Sequence, residues 1–423
     1  MNDDSGALPA GLGPAGLGPA GLGPAGLGPA ETSLAGEPGA AFTPAPDQLA
    51  IPAPWPDYGL PEPIGGGYQR KSILFVAWRD LANRQAGGSE VLVDRLASGV
   101  LARGHRVTLM CGGQVAERPY RVLRNGGTYT QFLRAPLAYL RHFRNYDLIV
   151  EVCNGMPFLA PLWSKRPVLC LVNHMHTELW SIRFPPPFST VGRNLERVVM
   201  PRVHRNNLFL TVSPSTAESL QQIGVGQDRI RQICNGVEAP DPPTPRSTEP
   251  MFLAFGRLAD YKRLDLLLRL WDRVRHVTGG KLVIAGDGPE RPRLQALAGP
   301  GVEFTGRVSD AEKHRLMCAA WLFLHPALIE GWGIVVAEAA IRGTPSVAFD
   351  VPGLRDSVMH GQTGMLVRTE GQFASEWASL AIDHRRREQL GQAARTRALQ
   401  LHWSAAVDGF ADVADEAIKR ARI

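Results

Sequence analysis

The stretch WLFLHPALIEGWGIVVAEAA, residues 321–340, decides how this chain is read. It opens with Trp321–Leu324, an apolar run of strand length, passes through a turn rich in glycine, and ends in an apolar segment of helical character. Two carboxylates bracket the turn. Glu330 falls in the loop and Glu338 inside the helix, among Ile334, Val335, Val336, Ala337, Ala339 and Ala340. A carboxylate in such company is costly without a polar partner, so one is expected. Carboxylates accept hydrogen bonds from sugar and ribose hydroxyls, and free amides around Gly331–Gly333 suit phosphate.

The same strand–turn–helix unit recurs on both sides. Phe252–Phe255, Leu282–Ala285, Val302–Thr305 and Ser346–Phe349 read as further strands, with helices over Asp265–Val277 and Ser309–Ala320. Ser309 and Glu312 make a capping box for the second of these helices. Upstream, Ile73–Ala77, Val107–Cys111, Leu148–Val152, Val168–Val172 and Leu208–Val212 alternate with helices such as Ser89–Arg103 and Ser215–Ile223, the latter with a Ser215/Glu218 box. Between the two series lies Gly236–Pro250, which holds Pro240, Pro242, Pro243, Pro245 and Pro250. The fold class is therefore α/β: two Rossmann-like, doubly wound domains joined by a hinge and facing across a cleft. The expected boundaries are a Gly/Pro-rich tail over 1–70, an N-terminal Rossmann-like domain over 71–240, a linker over 241–250 and a C-terminal Rossmann-like domain over 251–401. A C-terminal helix over 402–423 completes the chain.

Three further groups sit where strands end. Gly87-Gly88-Ser89-Glu90 opens the first helix; it is either an anion-binding turn or a plain tight turn. Phe255-Gly256-Arg257-Leu258, with Lys262 and Arg263, puts cations at a strand's carboxyl end, where a diphosphate can be clamped. Asn173-His174-Met175-His176 offers a histidine pair; without an evident third ligand it reads as a polar substrate contact or a structural element rather than zinc.

Bulk properties narrow the class. The 423 residues, 44% apolar, suffice for two domain cores. Beyond residue 70 the chain carries 45 Lys and Arg against 33 Asp and Glu, a net of +12, which suits phosphate-bearing small molecules, an anionic membrane surface or nucleic acid. Residues 11–30 repeat Gly-Leu-Gly-Pro-Ala four times, and that composition cannot offset its ordering entropy, so the tail is expected to be disordered. The five cysteines show no close pair in sequence and read as buried reduced thiols. No apolar run approaches the ~20 residues that span a bilayer, and no signal segment begins the chain. A cytoplasmic enzyme is the expectation. Arg183, Arg193, Arg197, Arg202 and Arg205, around Phe184–Phe188, form either a solvated basic face or a peripheral contact with the membrane's inner face.

Together these features resemble the retaining glycosyltransferases of the GT-B fold, family 4 (group 1), over residues 71–423. The most specific part is the Glu330–Glu338 segment, followed by Gly343-Thr344-Pro345 and by Gly353 to Val367. The resemblance implies a nucleotide-diphosphate-sugar donor, a hydroxyl acceptor (lipid, polysaccharide or small metabolite), no cofactor, no metal and no nucleic acid. It also implies roles. Glu330 would bind donor-sugar hydroxyls, Glu338 the ribose, and Arg257 with Lys262 the diphosphate. Gly87 and Gly88 would close over the donor, His174 would lie near its sugar, and the backbone of Val308 would meet the base. Gly331, Trp332, Gly333, Ile334 and Val335 complete the expected donor site, and the C-terminal helix would cross back to the first domain. A nucleotide-sugar epimerase or phosphorylase, or a catalytically silent nucleotide-sugar-binding regulator, are the rival readings.

Overall fold

In a computed structural model, whose described residues are 69–238 and 244–421, thirteen strands form two parallel sheets. The first comprises β1 (Ser72–Arg79), β2 (Arg106–Gly112), β3 (Arg121–Arg124), β4 (Leu148–Cys153), β5 (Val168–Val172), β6 (Leu208–Thr211) and β7 (Ile230–Gln232), in the order β3-β2-β1-β4-β5-β6-β7. The second comprises β8 (Met251–Phe255), β9 (Lys281–Ala285), β10 (Val302–Gly306), β11 (Leu322–His325), β12 (Ser346–Phe349) and β13 (Gly364–Val367), in the order β10-β9-β8-β11-β12-β13. Each order reverses direction once, between β1 and β4 and between β8 and β11. Crossover loops leave to opposite sides at such a point, which opens a crevice at the strands' carboxyl ends.

The central strands are buried on both faces and so are uninterrupted apolar runs, which is why they are legible. The three strands that patterning does not reveal, β3, β7 and β13, all lie at sheet edges. There one side faces no neighbour, and sequences such as Arg121-Val-Leu-Arg124 serve. One helix start also differs from expectation. Helix Pro214–Gln222 is capped by Ser213, whose hydroxyl accepts from the Thr216 amide, because Pro214 at the first turn moves the cap two residues earlier than the Ser215/Glu218 box expects. Ser309 does cap helix Asp310–Ala319 by accepting from the Glu312 amide.

The C-terminal helix, Trp403–Arg420, packs on the first domain. Its Val407, Phe410, Val413 and Ala414 enter the core formed by Phe75, Leu92, Leu96, Val150 and Leu171. Phe410 is stacked on Phe75 with ring centroids 5.5 Å apart. A Cβ at Gly99 on helix Gly88–Ala102 would come within 2.4 Å of Val407, so glycine sets how closely the two helices approach. The second core surrounds Trp271 and Trp377, stacked at 5.7 Å. Where the linker re-enters described chain, Arg246 donates to Thr344 Oγ1 and to the Gly343 carbonyl, fastening its end to the second domain. The repeat-bearing tail and the central linker prolines lie outside the described residues. No described helix is long and apolar enough to cross a membrane.

Candidate active site

The loops at the two switch points face each other and enclose a cleft of about 550 Å³. Its walls hold Gly87, Gly88 and His174 from the first domain and Arg257, Lys262, Val308, Glu330, Gly331, Trp332, Gly333, Ile334, Val335 and Glu338 from the second. Arg263, grouped with Arg257 and Lys262 in the sequence, instead turns away to pair with Glu370. The domains approach closely here. A Cβ at Gly88 would stand 3.3 Å from Ile334, and one at Gly331 would stand 3.2 Å from His174 Nδ1. Gly331 thus brings the second domain's backbone against the histidine of the first.

The centre of the cleft is a charged triad. Lys262 Nζ lies 2.5 Å from Glu330 Oε2, and His325 Nε2 lies 2.9 Å from the same oxygen. Lys262 comes from a single 3-10 turn, Asp260–Lys262, and His325 from the last position of β11. Burial favours the neutral form of Glu330, yet Lys262 and His325 outweigh it and hold the carboxyl well below the usual carboxylate range. Glu330 is therefore an anion near neutrality, an acceptor for hydroxyls and not an acid. Burial likewise works against the charge on Lys262, but Glu330 and Tyr261 keep its pKa raised. Burial also lowers His325, with Lys262 adding to the effect. His174 is pulled down by burial to about 4, only partly opposed by Glu330, so it is a neutral imidazole at pH 7.

Backbone conformation aims these groups. Gly353 has φ +82°, and a Cβ there would stand 2.3 Å from the Glu330 carbonyl oxygen. This residue must be glycine for the Glu330 loop to sit where it does. Helix Ile334–Ala340 starts from Gly333 and carries Glu338 back into the cleft wall. The partner expected for Glu338 is Lys313, whose Nζ lies 2.9 Å from Oε1. Arg257, following β8, makes no ion pair or side-chain hydrogen bond among the described residues and so remains available to an anion.

Arg79, Asn154 and Lys313, all in the cleft wall, escape the sequence reading. Arg79, at the end of β1, lies 3.6 Å from Glu90, which in turn accepts from the Gly87 amide. Burial raises the Glu90 pKa and lowers that of Arg79. Asn154 and Asn173, one residue past β4 and β5, are joined by a 3.2 Å hydrogen bond. Their position just after buried strands was a usable signal. Lys313 had none, because it lies in the polar first half of helix Asp310–Ala319, where charged residues are ordinary. The basic stretch separates in space. Arg193, Arg197, Arg202 and Arg205 line an outer groove of about 830 Å³, whereas Arg183 turns into the cleft, over the ring of Tyr261 at 5.2 Å.

Comparison with known proteins agrees with this arrangement. A family model described as Glycosyltransferase Family 4 matches residues 86–239, and one described as Glycosyl transferases group 1 matches residues 249–383. A GDP-mannose-dependent alpha-mannosyltransferase of Mycolicibacterium smegmatis is 33% identical over 248 residues, 58% of this chain and 59% of that protein. A sulfoquinovosyl transferase of Arabidopsis thaliana is 25% identical over 252 residues, 58% of this chain and 46% of that protein. The chain thus spans about half the length of the curated relatives it matches. The crystal structure of HepE from Anabaena in complex with UDP and glucose superposes with a TM-score of 0.67 at 18% identity, covering 82% of this chain and all of that one.

Proposed function

Since this chain belongs to the family 4, group 1 glycosyltransferases and has their GT-B fold, we propose that it transfers a hexose from a nucleoside-diphosphate sugar to an acceptor hydroxyl, with retention of configuration and without a metal in the cleft. The observation that carries this reading is the Lys262–Glu330–His325 triad beside the unpaired Arg257, facing His174 across the cleft.

The residues divide the work as their charges dictate. As the bond from the anomeric carbon to the diphosphate oxygen breaks, negative charge grows on the leaving phosphate. Arg257 and Lys262 are fixed cations that stabilise it, the service a divalent ion provides elsewhere. The permanently ionised Glu330 holds sugar hydroxyls and so fixes the reacting carbon. His174, neutral, contributes a hydrogen bond at the sugar without opposing the cationic character that develops there. Each carboxylate lining the cleft faces a cation rather than standing free as a nucleophile: Glu330 and Glu338 are engaged by lysines, Glu90 by Arg79, and Asp287 by Arg291 and Arg307. The acceptor hydroxyl then attacks from the face the phosphate leaves, and its proton passes to a departing phosphate oxygen. Relatives and structural neighbours whose names carry GDP-mannose and UDP support a nucleoside-diphosphate donor.

The test is the product's anomer. Proton NMR early in a reaction with an α-linked donor, UDP-glucose or GDP-mannose, should show an α-linked product, formed at an unchanged rate with EDTA present. A β-linked product sinks the retaining mechanism, and loss of activity on brief exposure to chelator sinks the metal-free clamp. The two carboxylates should also separate in binding. Glu338→Ala is expected to weaken the bare nucleoside diphosphate by about ten- to a hundred-fold, the worth of a charge-assisted hydrogen bond. Glu330→Ala should leave that affinity nearly intact and instead erase discrimination between donor sugars. Calorimetric titration with UDP, GDP and their sugars reads both, and equal losses on the bare nucleotide would contradict the division.

A further inference from the structure

Beneath the cleft floor the first domain buries a second cluster that the transfer reaction does not use. Cys153 on β4 and Cys170 on β5 bring their Sγ atoms to 3.4 Å, although 17 residues separate them in sequence. A ring nitrogen of His204, the residue that ends helix Met200–Val203, lies within 4.8 Å of both sulfurs. All three residues are sealed from solvent, at 3%, 0% and 0% exposure. We propose that Cys153, Cys170 and His204 bind a structural zinc ion, with Glu151 orienting the histidine.

Three independent features converge on this. The first is spacing. A tetrahedral zinc with sulfur at about 2.3 Å and nitrogen at about 2.0–2.1 Å separates its ligand atoms by roughly 3.5–3.8 Å; the two sulfurs stand at 3.4 Å and the ring nitrogen within 4.8 Å of both, so a small shift of the imidazole completes the set. The second is an unmet need: Nδ1 of the fully buried His204 has no hydrogen-bond partner, while Nε2 faces the Glu151 carboxylate. The third is the carboxylate beside it. Glu151 Oε2 lies 3.3 Å from His204 Nε2, and Glu151 is itself held by the amides of Leu159 and Ala160 at 2.8 and 2.7 Å. A carboxylate backing a ligating histidine is a recurrent way of fixing its ring. Two thiolates and an imidazole favour zinc over hard cations, and burial away from any substrate marks the site as structural.

The location gives the ion a task. Glu151 and Cys170 are register partners on adjacent strands, and the strand ends just beyond carry Asn154, Asn173 and His174 into the cleft. One ion would fasten β4, β5 and the segment leading into β6 beneath those residues. Burial also means that brief treatment with EDTA leaves it in place, so this site and the metal-free clamp fail or survive separately.

The experiment is a metal assay on the full chain, purified under reducing conditions without metal-affinity resin or chelator. Mass-spectrometric elemental analysis should find about one zinc per chain, and protein grown on cobalt should show the visible absorption of tetrahedral, thiolate-bound cobalt. Cys153→Ser, Cys170→Ser and His204→Gln should each lose most of the metal, while Cys234→Ser, at an exposed cysteine, retains it. Should the ligand variants not fold, titrating the wild-type protein with an organomercurial provides the second reading: zinc is released in step with modification of two buried thiols. Wild-type protein with less than about a tenth of an equivalent of zinc and no cobalt bands overturns the proposal. So does zinc that persists in the ligand variants or leaves before any buried thiol reacts.

Discussion

Replacing Lys262 with alanine is expected to lower turnover by about 10²–10³-fold, the cost of removing one preorganised charge contact from a transition state, about 2.7–4 kcal/mol. The structure sharpens this expectation, because Lys262 is also the partner of the buried Glu330. Removing it leaves a carboxylate facing only His325, and breaking one side of a buried pair is destabilising in itself. Lys262→Ala should therefore lose both activity and thermal stability. Combining it with Glu330→Gln removes the uncompensated charge, so the melting temperature should recover while turnover stays low. Arg257→Ala provides the complementary case. With no ion pair to break, it should lower turnover comparably while shifting the melting temperature little. Steady-state kinetics alongside thermal unfolding of the four proteins checks the set. Activity that returns with stability in the double variant would make Lys262 a structural residue and remove it from the clamp.

The second large effect lies far from the chemistry. Phe410→Ala in the C-terminal helix should cost about 3–5 kcal/mol, since it empties a large, fully buried aromatic site. Phe410 stacks on Phe75 of β1, and the same helix inserts Val407 against Gly99. β1 ends in Arg79 and the loop that leads to Gly87 and Gly88, so the helix packs directly on the strand that carries one wall of the cleft. Urea denaturation followed by circular dichroism measures the loss. A cost below about 1 kcal/mol would mean that the helix is a loose appendage rather than part of the first domain's core. Donor affinity measured at low temperature, where the variant remains folded, should also fall, because the two walls are then held together less firmly.

Part of this molecule is legible in local physics alone. Buried parallel strands must be continuous apolar runs, so β1, β2, β4 to β6 and β8 to β12 could be read directly, and with them the two-domain α/β architecture. Loops that follow such strands must gather at one edge, which is why Gly87, His174, Arg257, Lys262 and Glu330, far apart in the chain, all line one cleft. The buried setting of Glu338 required a partner, but not a particular one. The folded chain alone reveals that this partner is Lys313, that Glu330 is held by both Lys262 and His325, and that Arg183 leaves its basic neighbours for the cleft. Only the tertiary structure set Cys153, Cys170 and His204 side by side. The reason is the same in each instance. Periodicity reports which face of an element is buried, whereas a contact between residues far apart in the chain depends on strand order and crossing geometry. Neither leaves a mark on the residues' own neighbourhoods.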